Sequence, residues 1–160
     1  MIFAAGLGTR LRPLTDNMPK ALVPVAGKTM LERVILKLKD AGFHDITINI
    51  HHFGSQIIDF LRANQNFGVD IHISDERGEL LDTGGGIKKA RPLLESNEPF
   101  LIHNADILTD LDLNAFYHHH LESDADATLL TNHRKTSRYL LMDQNNRLCG
   151  WGGGSANPRS

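Results

Sequence analysis

The sequence of 160 residues has little cysteine, few aromatic residues and almost no net charge. Its single cysteine, Cys149, cannot form a disulfide within the chain, so a reducing compartment such as the cytoplasm is expected. A net charge of −2 offers no electrostatic basis for binding nucleic acid or an anionic membrane. We therefore predict a cytoplasmic protein without nucleic-acid or membrane partners, in which Cys149 is a partly buried strand residue.

Long hydrophobic runs and targeting signals are also missing. No apolar run approaches the roughly 20 residues that a transmembrane helix requires. The first residues lack the basic and apolar regions of a secretory signal peptide. The composition, 41% hydrophobic and 22% charged, is that of an ordinary globular domain. We expect one domain over residues 1–151, followed by a Gly-rich flexible tail or exposed loop over residues 152–160.

Strand-like and helix-like segments alternate through the first two thirds of the chain. Apolar runs and alternating apolar residues predict strands over residues 2–5, 46–50, 69–73 and 100–102. Helical spacing predicts helices over residues 30–41, 56–61 and about 85–94, the first two capped by Thr29 and Ser55. This order predicts an α/β fold, a Rossmann-like and mostly parallel sheet with helices on both faces. Loops at the carboxyl ends of such strands meet, which would bring loop 6–20, Thr83 and Asp106 together.

The last third of the chain has a different pattern. A helix is predicted over residues 113–121, capped by Asp110 or Asp112. Strands are predicted over residues 127–131, 139–142 and 147–151, with a turn at residues 143–146. The consecutive histidines 118–120 would point about 100° apart on a helix, so we do not expect them to share a metal ion.

The loop after the first strand has the features of a phosphate-binding site. Gly6 and Gly8 let the backbone approach a ligand closely, and successive N–H groups can cradle phosphate oxygens. Arg10 and Lys20 add two positive charges suited to phosphate. The loop lacks the third glycine of a dinucleotide fingerprint, where Leu11 stands, and the G-K-[ST] of a P-loop. A nucleoside triphosphate is therefore the predicted ligand, and a dinucleotide oxidoreductase is a distant alternative.

The longer string around this loop is more specific than its glycines. Residues 4–15, A-A-G-L-G-T-R-L-R-P-L-T, and residues 19–28, P-K-A-L-V-P-V-A-G-K, closely resemble the signature of the sugar-1-phosphate nucleotidyltransferases. The resemblance covers residues 1–151 and is greatest to compact members, uridylyltransferases for N-acetylmuramate 1-phosphate and bacterial guanylyltransferases for mannose 1-phosphate. It implies that a nucleoside triphosphate and a sugar 1-phosphate condense to a nucleotide sugar and pyrophosphate, with Mg²⁺ as the cofactor.

The resemblance also implies roles for individual residues. Arg10 matches the position that contacts the leaving phosphates, and Lys20 matches the lysine that holds the α-phosphate or the sugar phosphate. Asp106, at the end of a strand, matches the aspartate that binds Mg²⁺, although Ala105 replaces the usual glycine before it. The expected nucleotide-binding residues are those that border the phosphates and the base: Ala5, Gly6, Gly8, Thr9, Thr83 and Gly84.

The choice of base and the catalytic capacity stay open at this stage. The sequence Gly84-Gly85-Gly86 resembles the uridylyltransferase-like members, which favours UTP. The resemblance to the family alone implies a sugar of the amino-sugar or cell-wall type. A GTP-dependent mannose-1-phosphate guanylyltransferase is the nearest alternative. The family's second metal-binding aspartate has no counterpart here, and the last third of the usual fold is absent from the chain. We therefore expect this C-terminally incomplete chain to bind nucleotide better than it catalyses, and a catalytically impaired nucleotide-binding module is a further alternative.

Overall fold

The structure is a computed structural model that describes residues 1–132 and 138–153. The chain divides into two compact units, one from Met1 to Asp124 and one that begins at Ala125. Each unit is described separately.

The first unit contains short and long elements in alternation. Its strands and helices are β1 (Ile2–Phe3), β2 (Pro24–Val25), β3 (Lys28–Thr29), α1 (Met30–Asp40), β4 (Asp45–Ile50), α2 (Gly54–Ala63), β5 (Asp70–Asp75), α3 (Asp82–Leu94), β6 (His103–Asn104) and α4 (Leu113–Leu121). Single turns of 3₁₀ helix lie at Thr9–Leu11, Lys20–Leu22 and Gln65–Gly68.

The central sheet has four parallel strands in the order β5-β4-β1-β6, which confirms the predicted α/β fold. In β4 both sets of alternating side chains are buried: Ile46, Ile48 and Ile50 on one face, Thr47 and Asn49 on the other. A strand buried on both faces requires cover on both sides of the sheet. The four carboxyl ends of these strands lie at one edge, as the sequence predicted.

Helix α1 follows the sequence prediction closely. The Thr29 hydroxyl accepts a hydrogen bond from the Glu32 backbone N–H at 3.1 Å, which caps the helix. Leu31, Val34, Ile35 and Leu38 recur at helical spacing and are all buried. The helix ends before Gly42, which has a φ of 86°.

Three elements of the first unit differ from prediction because packing overrides local signals. Helix α2 begins at Gly54, directly after Phe53, and Ser55 does not cap it: the Ser55 hydroxyl accepts from Arg77 instead. Position 54 packs so closely on Ile50 that a Cβ there would lie 2.9 Å from its side chain. Helix α3 begins at Asp82, three residues earlier than its glycines suggested. The fourth strand of the central sheet is β6 and not the predicted segment 100–102. His103 of β6 pairs in register with Ile2, whereas the apolar residues 100–102 are partly exposed.

The second unit contains an antiparallel hairpin of β7 (Arg138–Met142) and β8 (Leu148–Gly153). The turn predicted at residues 143–146 is present, with the Asp143 carboxylate accepting from the N–H groups of Asn145 and Arg147. Cys149 lies in a strand as predicted but is exposed, because neither face of the hairpin buries it within this unit.

The predictions of a strand over residues 127–131 and of a tail over residues 152–160 need correction. Residues 127–131 form no strand, and Leu129 and Leu130 are exposed, because this segment lies outside every described sheet. Gly152 and Gly153 belong to β8 rather than to a tail. The rest of the predicted tail, residues 154–160, lies outside the described residues.

Candidate nucleotide-binding site

A cavity of about 410 Å³ opens at the carboxyl ends of the four parallel strands. Each strand contributes to it: β1 through the loop that follows Phe3, β6 through Asn104 to Asp106, β4 through Asn49 and β5 through Glu76. The start of α3 forms another wall with Asp82 and Thr83. The convergence predicted for loop 6–20, Thr83 and Asp106 is therefore present.

Gly8 holds the conformation of the loop after β1. Its φ is 68°, and a Cβ there would lie 3.0 Å from side-chain atoms of both Lys20 and Thr15, so only glycine fits without strain. The Gly8 carbonyl accepts from the Thr15 hydroxyl at 2.8 Å and from the Leu11 N–H at 2.9 Å. At Gly6, in contrast, a Cβ would meet nothing within 4 Å, which leaves open space beside the backbone for a ligand.

Lys20 and Asp106 form an ion pair across the cavity. The Lys20 Nζ donates to Asp106 Oδ2, joining residues that are 86 positions apart in the chain. Their side chains are 23% and 35% exposed, so both charges are within reach of a ligand. Arg10 is exposed and also lines the cavity. Glu76 and Asp82 also line the cavity, so its charged residues are two cations and three carboxylates. The Lys20, Arg10 and Asp106 side chains together supply charges suited to a triphosphate and a divalent ion.

Ala105 is accommodated where the resemblance suggested a glycine. It is 4% exposed, and its N–H donates to the Phe3 carbonyl at 3.0 Å. The added methyl group is therefore buried against the core, and the following Asp106 reaches the cavity.

Of the residues predicted to bind nucleotide, all but one border the cavity. Those at its wall are Ala5, Gly6, Gly8, Thr9, Arg10, Lys20, Thr83 and Asp106. Gly84 does not line it, because α3 begins at Asp82 and the helical turn carries Gly84 away from the opening. Their roles toward a ligand stay predictions.

Asn49 and Glu76 were not among the site residues predicted from the sequence, although the segment from Glu76 to Gly86 resembles the family's base-reading loop. Asn49 stands between Ile48 and Ile50 and resembled a solvent-facing position of an alternating strand. Glu76 lies in the segment between β5 and α3, and no role was predicted for its side chain. Both are buried in the structure and both border the cavity. The available signal was a polar residue near the carboxyl end of β4 and another directly after β5.

The residues present fit a single Mg²⁺ ion held with the help of a ligand. Mg²⁺ in nucleotide sites commonly takes one or two carboxylates and completes its shell with phosphate oxygens and water. Asp106 supplies such a carboxylate at the cavity. Within residues 1–132 and 138–153, no group of three or more His, Cys, Asp or Glu side chains is arranged to hold a metal, and His118 and His119 are exposed on α4.

His103 should make folding sensitive to acid. Burial lowers the pKa of its imidazole below 6.5; Lys37 and the amino terminus lower the pKa further, while a bond to the Asn104 carbonyl and Asp106 oppose this. Because the unfolded chain takes up a proton more readily, stability should fall as pH drops below about 6.5. Urea midpoints at about pH 7.5 and about pH 5.5 should differ less in His103→Gln than in the original protein. An equal difference between the two urea midpoints in both proteins would contradict this prediction. The control is His119→Gln, which replaces an exposed histidine of α4.

Among the described residues, no helix has the length and apolar character needed to cross a membrane.

Comparison with known proteins identifies the family of this chain. A family model described as nucleotidyl transferase matches residues 1–148. The N-acetylmuramate alpha-1-phosphate uridylyltransferase of Neisseria meningitidis serogroup B is 48% identical over 117 residues, which are 73% of this chain and 50% of that protein. The mannose-1-phosphate guanyltransferase of Gibberella zeae is 39% identical over 125 residues, 75% of this chain and 34% of that protein.

A solved structure has a similar fold. The crystal structure of HddC from Yersinia pseudotuberculosis complexed with GMP-PN superposes with a TM-score of 0.75 and 28% identity. The superposition covers 94% of this chain and 67% of that one. The chain spans half or less of the length of the two curated relatives. With the family model matched over residues 1–148, the chain belongs to the nucleotidyl transferase family.

Proposed function

We propose that this chain binds a nucleoside triphosphate, UTP in the first place, for the transfer of its nucleotidyl group to a sugar 1-phosphate. The products would be a nucleotide sugar and pyrophosphate. The observation that carries the proposal is the convergence of the glycine loop, the Lys20–Asp106 pair and Thr83 on one cavity. The family's chemistry needs all three: a cradle for phosphates, charges to balance them and a surface for the base.

The reaction would depend on positioning and charge. A sugar 1-phosphate is already an anion, so its oxygen can attack the α-phosphorus without a strong base, and pyrophosphate leaves with the electron pair of the broken bond. Fixed cations that stabilise the charge developing on the leaving group then supply most of the catalysis. Arg10 would contact the leaving phosphates, and Lys20 would hold the α-phosphate or the sugar phosphate.

Asp106 would hold Mg²⁺, which when bound neutralises charge on the phosphate oxygens. In the structure Asp106 is paired with Lys20. A triphosphate with its metal ion therefore offers each partner a replacement: phosphate oxygens for the ammonium group and the cation for the carboxylate. Neither charge needs to lose its counter-charge when the substrate binds.

Two observations bear on the base. The uridylyltransferase from Neisseria meningitidis is 48% identical and the guanyltransferase from Gibberella zeae 39% identical, which favours UTP. GTP is the second candidate, because the superposed HddC structure contains GMP-PN. The sugar would be an amino sugar of cell-wall type if UTP is the nucleotide, and mannose if GTP is. A cytoplasmic location without nucleic-acid or membrane partners is part of the proposal.

Thermal unfolding with a panel of nucleotides tests the proposal. UTP, GTP, dTTP, ATP and NAD are each added with and without Mg²⁺. A nucleotide at about one hundred times its Kd should stabilise the chain by about 2.7 kcal/mol. We expect the largest shift with UTP and Mg²⁺. A larger shift with GTP would select the guanylyltransferase, whereas a larger shift with NAD, or no shift with any nucleotide, would overturn the proposal.

A further inference from the structure

We propose that Asn49 and Glu76 form a buried brace that sets the spacing of the base slot, so that UTP affinity depends on the pair and affinity for a bare triphosphate does not. The base slot is the part of the cavity lined by Ala5 and Gly6 from the loop after β1 and by Asp82 and Thr83 from the start of α3. The inference rests on the proposed function, since it assumes that a nucleotide occupies the cavity.

The brace consists of three hydrogen bonds in series. The Ala4 N–H donates to Asn49 Oδ1 at 2.8 Å. The Asn49 Nδ2 donates to Glu76 Oε1 at 2.8 Å. The Leu81 N–H donates to Glu76 Oε2 over a longer 3.4 Å. The series therefore links the exit of β1 to the entry of α3 through two side chains that are 2% and 0% exposed.

Both ends of the brace lie immediately before the walls of the slot. Ala4 precedes Ala5 and Gly6, and Leu81 precedes Asp82. Asp82 adopts a φ of 54°, a left-handed conformation that costs energy in a residue other than glycine and persists where its surroundings enforce it. The bond to Leu81 is one contact that fixes the backbone at this point. The left-handed backbone at Asp82 keeps its conformation only where neighbouring contacts hold it, and the hydrogen bond of the Leu81 N–H is such a contact directly before it.

Gly86 shows how closely the brace is enclosed. A Cβ on Gly86 would lie 2.9 Å from Glu76 Oε1, 3.2 Å from Asn49 Nδ2 and 3.4 Å from the Phe3 ring. Neither side chain of the brace could move aside without breaking a bond. In the same helix, a Cβ on Gly84 would meet nothing within 4 Å. Helix α3 thus packs against the brace at Gly86, whereas Gly84 borders open space.

Stability alone is a poor explanation for this pair. Burying a carboxylate is costly, and no salt bridge to Glu76 exists among the described residues. Well-packed apolar residues in place of buried polar groups are often neutral or stabilising. Because the pair instead holds two backbone segments that border one cavity, fixing the geometry of that cavity is the role its contacts support.

The phosphate end of the cavity is held by other contacts. Gly8 is fixed by the Thr15 hydroxyl and the Leu11 N–H, and Lys20 is fixed by Asp106. None of these bonds includes Asn49 or Glu76. Loss of the brace should therefore disturb the base slot and leave Gly8 and Lys20, at the phosphate end of the cavity, in place.

The test compares two ligands in one variant. In the double variant Asn49→Leu/Glu76→Met both polar groups are replaced, so no buried carboxylate is left unpaired. Binding of UTP and of inorganic tripolyphosphate, both with Mg²⁺, is measured by calorimetry. We expect the Kd for UTP to rise about tenfold or more, since two ties of the slot are lost, and the Kd for tripolyphosphate to stay within about twofold. The preference for UTP over GTP should narrow.

The matched control is Thr47→Val, which removes another buried polar group from the same face of β4. The Thr47 hydroxyl has no hydrogen-bond partner among the described residues, so both affinities and the UTP preference should be unchanged. If the double variant does not fold, Gly86→Ala, which presses on the brace, is compared with Thr47→Val in the same way.

Each other outcome overturns the inference. Equal losses for UTP and tripolyphosphate would mean a general structural role, and unchanged UTP affinity would mean that the brace does not position the base. Failure of the original protein to bind any nucleotide would instead overturn the proposed function and this inference with it. The two failures are distinguishable because the second is seen before any substitution is made.

Discussion

Lys20→Ala should weaken UTP binding by roughly ten- to one-hundredfold while changing the free energy of unfolding by no more than about 1 kcal/mol. A hydrogen bond to a charged group contributes about 1.5–3 kcal/mol, and Lys20 is the cation paired at the centre of the cavity. Its ion pair with Asp106 is partly exposed, so losing it costs the fold little. Calorimetric titration with UTP and Mg²⁺, together with a urea unfolding curve, measures both quantities.

Lys28→Ala is the matched control for this result. Lys28 is exposed and lies 3.4 Å from Glu32, one turn away on the surface, and it does not line the cavity. Its removal should leave UTP affinity unchanged. Equal weakening of UTP binding by Lys20→Ala and Lys28→Ala would mean that each lysine acts only through the overall electrostatic potential of the protein. The assignment of Lys20 to the phosphates would then be wrong.

Asp106→Asn should remove the dependence of UTP affinity on Mg²⁺. The Asp106 carboxylate is the group at the cavity that is expected to hold the ion against the triphosphate. Without Mg²⁺, the variant should bind UTP at least as tightly as the original protein, because a negative charge near the phosphates is gone and Lys20 is released. With Mg²⁺, the original protein should gain about tenfold in affinity and the variant should gain almost nothing.

The measurement is a pair of titrations, with and without Mg²⁺, on each protein. Asp110→Asn is the control, because Asp110 is an exposed carboxylate four residues further along that does not border the cavity. It should keep the full response to Mg²⁺. An undiminished response in Asp106→Asn would show that the ion is held by the nucleotide or by another group, and the metal role of Asp106 would have to be abandoned.

Local features of this chain were predictable because their causes lie within a few residues. The cap at Thr29 and the buried stripe of α1 depend on neighbours three and four positions apart. The strand β4 follows from its β-branched residues, and the loop at Gly6 and Gly8 follows from the conformations that glycine allows. These local signals also carried the resemblance on which the site residues were predicted.

Features that depend on distant partners were not predictable in this way. Gly54 at the start of α2 packs on Ile50 too closely for a side chain, and β6 is placed by its register with Ile2. The Gly-rich start of α3 is helical although glycine disfavours helices, because Gly86 packs where no other side chain would fit. In each case a contact between separate segments outweighs the local preference.

The sequence by itself determined the alternation of strands and helices, the phosphate-binding character of the loop after β1 and the membership of a family. It also indicated which loops would meet, since parallel strands bring their carboxyl ends to one edge. Only the tertiary structure decided that Lys20 pairs with Asp106, that Gly84 turns away from the cavity, and that Asn49 and Glu76 join its two walls. The reason is physical: a short pattern encodes backbone conformation, whereas the partner of a side chain is set by the segments that folding brings beside it.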